Sequence, residues 1–383
     1  MIFASAYAIS RGFFSSISML NAAPKLLLLT AGYGDGHNSA AYALAQCAEA
    51  RGWIAEVIDP CQKASPRIFS LTQSFYKFCV TSASWIWGIT YYQTETADWS
   101  TKATAPILRK VTNSIKAVID AFQPDVVLCT YPLYAYMLDY LRNIGEIALP
   151  YGVVVTDSLE ISRPWMLSNA DVYYLPDEHS AQLVMERFAL PQSRVYNSGF
   201  PVRAAFNGRL SMKTPPSTQD FRIVYGAYAP VKRVFTDVRA INNAFPQAQI
   251  TVLAGNRFQS FARLQNDKVT VIKRTDDMPS LFEKAHLYIG KAGAATMYEA
   301  YSMHLPVIVN YSLPGQEQGN IALLLKDACG RCVDTTPDLL TLLQKLLADN
   351  STMWQSWRAA MISANRKDGA LHIIDDIQRR FFV

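Results

Sequence analysis

The chain has 383 residues, 36 basic against 31 acidic side chains and a formal charge of +5, with half its residues apolar and 17% charged. That balance excludes a disordered tail or a fibrous repeat and allows a large buried core. The thin, dispersed basic excess, without zinc-finger or basic-region patterns, argues against a nucleic-acid partner, and no apolar run reaches the roughly 18 to 20 residues of a membrane-spanning helix.

Divided by a domain size of about 150 residues, the length gives two domains. Residues 1–24, with Arg11 as their one basic side chain and no acid, are an unstructured start or a targeting segment and are set aside. From Leu26 onward short apolar runs alternate with helix-length amphipathic segments. Leu26–Leu29, Ile54–Ile58, Val126–Cys129, Tyr151–Val155 and Val172–Leu175 are expected strands of a parallel α/β domain over 25–212.

The first strand leads into Gly32-Tyr-Gly34-Asp-Gly36-His37-Asn38 and an Ala-rich helix. Strand, glycine loop and helix in this order bring a helix N-terminus close to a ligand. A dinucleotide fingerprint, supported by Asp59 at the end of the second strand, fails because its third glycine is His37. Beside the positive end of a helix dipole an imidazole is kept neutral, and a neutral imidazole is a competent general base. The alternative is a helix-start histidine that only hydrogen-bonds the loop.

Between Cys61 and Thr94 there is no acid, while Lys63, Arg67 and Lys77 are interleaved with Phe69, Phe75, Tyr76, Phe78, Trp85, Trp87, Tyr91 and Tyr92. Basic residues attract anionic headgroups, and Trp and Tyr favour the water–lipid boundary, so this segment, with Trp85, Trp87, Tyr91 and Tyr92 foremost, is a candidate membrane and acceptor surface. The alternative is a pair of helices whose aromatics are core.

The alternation breaks at 213–220, where two prolines and no large apolar side chain mark a linker. It restarts over 221–352 with Ile223–Tyr225, Ile250–Leu253, Val269–Ile272, Leu287–Ile289 and Val307–Val309 as strands. Two doubly wound, Rossmann-like domains facing a central cleft follow, with the cleft as ligand site. Residues 353–383 are expected as helices packing back on the domains.

Strand, small-residue turn and helix recur at Ile289-Gly-Lys291-Ala-Gly293-Ala294-Ala295-Thr296, where a diphosphate can approach free backbone N–H groups without a metal. Glu299, about one turn on, is a candidate for ribose hydroxyls or an ordinary early-helix glutamate. Gln316, Glu317 and Asn320, in the turn Pro314-Gly-Gln-Glu-Gln-Gly-Asn320, suit a sugar's hydroxyls, or else form a polar capping loop. The six cysteines look like reduced thiols, and Cys329-Gly-Arg-Cys332, though spaced as a redox pair, follows a helix instead of opening one.

Taken together, Gly34-Asp-Gly-His37-Asn38, Thr130-Tyr-Pro132, Val155-Thr-Asp157, Gly199-Phe-Pro-Val-Arg203, Lys291-Ala-Gly293 with Thr296 and Glu299, and Pro314 to Asn320 resemble the glycosyltransferase family that makes monogalactosyl- and glucosyldiacylglycerol, itself similar to the transferase of the lipid II step. The resemblance implies a GT-B fold, a UDP-galactose or UDP-glucose donor on the second domain, a diacylglycerol-like acceptor approached from the first, and inversion at the anomeric carbon. With the metal-free diphosphate turn and the basic, aromatic segment, the expectation is no cofactor or metal and a peripheral place on an anionic membrane at its cytoplasmic face. His37 would be the base, Asp157 a group that orients or charge-stabilises it, and Glu299 the ribose ligand. Gly293 to Thr296 would hold the diphosphate, and Gln316, Glu317 and Asn320 the sugar and nearby phosphate. The chain departs from the family at Tyr131, where His precedes the proline, at Ser162, where a further His is usual, and at the reduced turn Gly226-Ala-Tyr-Ala-Pro230. A UDP-sugar epimerase or hydrolase on the same scaffold, and a non-catalytic UDP-sugar-binding homologue, are the rival expectations.

Overall fold

The structure, a computed structural model, describes residues 22–32, 35–82, 92–93, 95–96, 106–207, 214–275, 277–313, 315, 317–366 and 368–382. It contains two six-stranded parallel sheets. The first joins β1 (Lys25–Leu29), β2 (Ile54–Ile58), β3 (Val126–Cys129), β4 (Tyr151–Val154), β5 (Val172–Leu175) and β6 (Val195–Asn197) in the order β2-β1-β3-β4-β5-β6. The second joins β7 (Arg222–Gly226), β8 (Gln249–Leu253), β9 (Val269–Ile272), β10 (Leu287–Lys291), β11 (Val307–Tyr311) and β12 (Gly330–Cys332) in the order β12-β11-β10-β7-β8-β9.

Near-continuous apolar strands form because helices cover both faces of each sheet. Leu27 and Leu29 enter one core and Leu26 and Leu28 the other, as period-two alternation requires. The second sheet repeats this, with Ile223 and Tyr225 on one side and Val224 on the other. Strand order reverses between β1 and β3 and between β7 and β10, and crevices outside the carboxyl ends of such switch points take ligands.

Six helices matter for the site, the last of them a return crossing. They are α1 (Asp35–Glu49), α2 (Pro66–Ser82), α3 (Ala294–Ser302), α4 (Gln318–Lys326), α5 (Thr352–Ala364) and α6 (Gly369–Phe381). Trp354 and Trp357 of α5 lie in the second domain's core. Helix α6 then crosses back, burying Ala370, Ile373, Ile374 and Ile377 against Leu26, Leu28 and Leu44. Asp368 starts it by accepting hydrogen bonds from the Ala370 and Val202 amides and from Asn207 Nδ2.

Two strands were not anticipated from the sequence. Both β6 and β12 are three residues long and sit at sheet edges, too short for a periodic signal. Strand β12 also removes the redox reading of Cys329 and Cys332. Cys329 is buried, with its Sγ 3.0 Å from Tyr301 Oη, while Cys332 is exposed at the strand end.

Candidate active site between the two domains

The loop after β1 is pinned from three sides. The Gly32 amide donates to Asp59 Oδ2 at 2.8 Å, Gln73 Nε2 of α2 donates to the Gly32 carbonyl at 2.8 Å, and Thr30 Oγ1 donates to Asn38 Oδ1 at 2.9 Å. Asp59 also accepts from the Cys61 and Gln62 amides and from Tyr134 Oη. That acid is therefore a loop and helix cap.

His37 stands in the first turn of α1, 9% exposed, with Nδ1 2.9 Å from Thr156 Oγ1. Its ring meets Tyr131 edge-on at 5.3 Å and Trp165 at 5.9 Å. Burial pulls its pKa from 6.5 to about 4, against a backbone hydrogen bond at Thr130. The imidazole is neutral near pH 7 as expected, but desolvation is the main cause, where the sequence suggested the helix dipole.

Asp157 departs from its expected part. Its Oδ2 accepts from Trp165 Nε1 at 2.7 Å, and the group on the imidazole is the Thr156 hydroxyl, one residue earlier. Burial pushes the Asp157 pKa up to about 6, opposed by the Trp165 bond and reinforced by the charges of Glu317 and Glu95. Asp157 and Trp165 thus brace the wall beside His37.

The facing wall comes from the second domain. Gly293 is the N-cap of α3 without a side-chain cap, so the first-turn N–H groups of Ala294, Ala295 and Thr296 have no intrahelical acceptor. Lys291 Nζ lies 2.6 Å from Glu317 Oε1 and 5.7 Å from the centre of the Tyr228 ring. Burial opposes the Lys291 charge, yet Glu317, Tyr76 and Tyr228 together hold its pKa above the ordinary lysine range. Glu317 is itself held by the Leu313 amide on Oε2 at 2.9 Å. Asn320 Nδ2 donates to the Ala292 carbonyl at 2.9 Å, tying α4 to the turn before Gly293.

Glu299, expected at a ribose, is engaged elsewhere. It is 5% exposed and takes a two-point contact from Arg203, Nε at 2.9 Å and Nη2 at 2.7 Å. Gln316 lies outside the described residues. In the reduced turn at 226–230, Arg257 Nη1 gathers the carbonyls of Ala227, Tyr228 and Ala229, and the Ala227 and Tyr228 amides bond to Leu253 and Gly226. The turn thus presents the Tyr228 ring, with the Ala227 and Tyr228 amides already paired.

The two walls meet directly. Helices α1 and α3 share a core in which Ala40 joins Ala295 and Tyr298, and Phe200 stacks on Tyr298 at 4.7 Å. Ser158 Oγ is 3.0 Å from Tyr298 Oη. Beside them Gly319 lies against the Ser158 carbonyl, which a Cβ would overlap.

Helix α2 roofs this site and divides its apolar side chains between buried and exposed positions. Phe69 is buried over Gly32, whereas Leu71, Phe75 and Phe78 are 72%, 53% and 52% exposed, alongside exposed Lys63 and Arg67. Spacings of three and four place Arg67, Leu71, Phe75 and Phe78 on one outward face. Tyr92 is exposed; Trp85, Trp87 and Tyr91 lie outside the described residues. Among the described residues no helix is long and apolar enough to cross a membrane.

Thr156, Trp165, Lys291 and Arg203 received no role from the sequence. Thr156, Lys291 and Arg203 lie inside the resembling motifs, but their spacing carries no sign of which side chain meets which.

A family model described as Monogalactosyldiacylglycerol (MGDG) synthase matches residues 37–202, and one described as Glycosyltransferase family 28 C-terminal domain matches residues 231–377. The processive diacylglycerol beta-glucosyltransferases of Bacillus cytotoxicus and Bacillus mycoides are 27% and 26% identical, each match covering 92% of this chain and 93% of the relative. Among solved structures, MurG of Acinetobacter baumannii superposes with a TM-score of 0.57 at 14% identity, over 93% of this chain and 99% of that one. The spinosyn rhamnosyltransferase SpnG superposes with a TM-score of 0.59 at 12% identity, over 92% and 99%. The fold is thus that of the two-domain GT-B glycosyltransferases.

Proposed function

Because the chain belongs to the family of monogalactosyldiacylglycerol synthases and processive diacylglycerol glucosyltransferases, we propose that it moves a hexose from UDP-galactose or UDP-glucose to a diacylglycerol-like lipid, with inversion. The observation that carries this is a buried neutral imidazole, His37, opposite an uncapped helix start with a half-buried lysine, Gly293 and Lys291.

His37 takes the proton from the acceptor hydroxyl as that oxygen bonds to the anomeric carbon. The bond from that carbon to the diphosphate breaks, and the electron pair leaves with UDP. First-turn N–H groups of α3 and the Lys291 ammonium meet the charge on the diphosphate, without a metal. Arrival of the diphosphate gives Lys291 a second anionic partner and loosens Glu317, which then accepts from the sugar's hydroxyls beside Asn320. Glu299 supports the nucleotide side through Arg203 or, released from it, through the ribose.

The acceptor stays in the bilayer, so the enzyme works as a peripheral protein on an anionic surface at the cytoplasmic face. The outward stripe of Arg67, Leu71, Phe75 and Phe78 supports this, since apolar side chains flanked by basic ones suit an anionic interface. Incubation of purified protein with labelled UDP-galactose or UDP-glucose and diacylglycerol in anionic vesicles, beside His37→Ala, tests the proposal. Label in the lipid that vanishes in the variant is expected. Label released only in solution points to a hydrolase or epimerase, and an untouched UDP-sugar to a binding protein.

A further inference from the structure

We propose that Thr156 is the positioning residue of the base, and that this enzyme orients His37 with a neutral hydroxyl where a carboxylate is the more common partner. The inference rests on the transferase reading above, and three observations carry it. Thr156 Oγ1 is 2.9 Å from His37 Nδ1, and both groups are buried. The neighbouring carboxylate, Asp157, is turned away to Trp165 Nε1 at 2.7 Å. Tyr131 and Trp165 close on the ring at 5.3 and 5.9 Å, so the imidazole has little freedom to swing.

A base must present a lone pair to the acceptor hydroxyl. If Nδ1–H donates to Thr156 Oγ1, the lone pair is on Nε2; the ring's other partner is the Thr130 backbone, whose hydrogen bond favours the imidazolium that forms on proton transfer. When Nε2 takes the acceptor proton, the Nδ1–H bond to the hydroxyl persists and steadies the imidazolium. A carboxylate in that place would raise the basicity of the ring and favour its charged form before substrate arrives. The hydroxyl fixes the tautomer without doing so, consistent with an imidazole that burial keeps neutral.

Three variants test the assignment: Thr156→Val, which removes the hydroxyl at nearly constant shape, Thr156→Ser, which keeps it, and Asp157→Asn. In the lipid-transfer assay Thr156→Val is expected to lose about 10- to 100-fold in kcat with KM for the UDP-sugar changed less than about twofold, and Thr156→Ser to stay within about threefold of the parent. Nitrogen-15 NMR of histidine-labelled protein, with His37 assigned by its loss in His37→Gln, reads the tautomer independently of activity. A protonated Nδ1 is expected in the parent, in Thr156→Ser and in Asp157→Asn, and a shift toward protonated Nε2 in Thr156→Val. Parent-like kcat and tautomer in Thr156→Val, or a tautomer moved by Asp157→Asn alone, would overturn the proposal. Should the parent transfer no sugar to lipid, the transferase reading fails, and the NMR comparison still decides whether Thr156 holds His37.

Discussion

Gly319 of the second domain lies so close to Ser158 of the first that a single added carbon at 319 would overlap the Ser158 carbonyl oxygen. No side chain can relieve that contact, because Ser158 contributes backbone. Gly319→Ala is therefore expected to push the domains apart at the cleft. Transfer should fall about tenfold or more, equivalent to about 1.4 kcal/mol on the barrier, while far-ultraviolet circular dichroism stays unchanged. Parent-like kcat together with an unchanged small-angle scattering profile would show that the cleft does not depend on this approach.

Arg203 and Glu299 should behave as an unequal pair. Removing Arg203 leaves a carboxylate whose side chain is 6% exposed without that charge partner, whereas Arg203 itself is 29% exposed. Losing a partner of a fully buried pair costs about 3 to 5 kcal/mol; with one side open to water, about 2 kcal/mol is expected for Arg203→Ala in urea unfolding. Adding Glu299→Gln should return about half of it. A double variant no more stable than Arg203→Ala would refute the pairing as the source of the loss.

The two buried titratable groups beside the cleft act oppositely on stability. His37 is lowered from 6.5 to about 4, so its contribution is complete above pH 6.5 and is lost as pH falls toward 4. Asp157 is raised from 3.8 to about 6, so its contribution is complete below 3.8 and is lost as pH rises toward 6. Each shift corresponds to about 3 kcal/mol at about 1.36 kcal/mol per unit, and the slopes oppose one another between pH 4 and 6. Relative to the parent, His37→Gln should lose stability as pH rises through that window, and Asp157→Asn as pH falls through it. Difference curves from urea unfolding at four pH values that run parallel would contradict both assignments.

The outward face of α2 should govern membrane binding without touching donor binding. Leu71→Asp with Phe75→Asp is expected to weaken sedimentation with anionic vesicles by about tenfold or more, since each large apolar side chain gains up to about 1.5 to 3 kcal/mol on full burial. UDP binding measured by calorimetry in the absence of lipid should be unchanged. Equal vesicle binding by parent and variant would move the membrane surface elsewhere.

Much of the fold and half of the site were legible in the chain. Apolar runs such as Leu26–Leu29 and Val126–Cys129 could only be strands buried on both faces, and small-residue turns before helices marked His37 and Gly293 because backbone must come close there. Strands β6 and β12 were not legible, since three residues carry no period and edge pairing is decided by neighbours. The helices of 353–383 were expected to pack back on the domains, but which surface receives α6 was not legible: Ile373 and Ile377 look like any amphipathic face until β1 is found beneath them.

What the sequence by itself determined is therefore local: element types, the two glycine turns, and the residues able to act as base or anion ligand. Pairing across long separations belongs to the tertiary structure alone. It gave the imidazole of His37 to Thr156, 119 residues away, turned Asp157 to Trp165, and joined Glu299 to Arg203, 96 residues away. Adjacent residues such as Thr156 and Asp157 project differently at a strand end, and only the packing around them fixes which one reaches the ring.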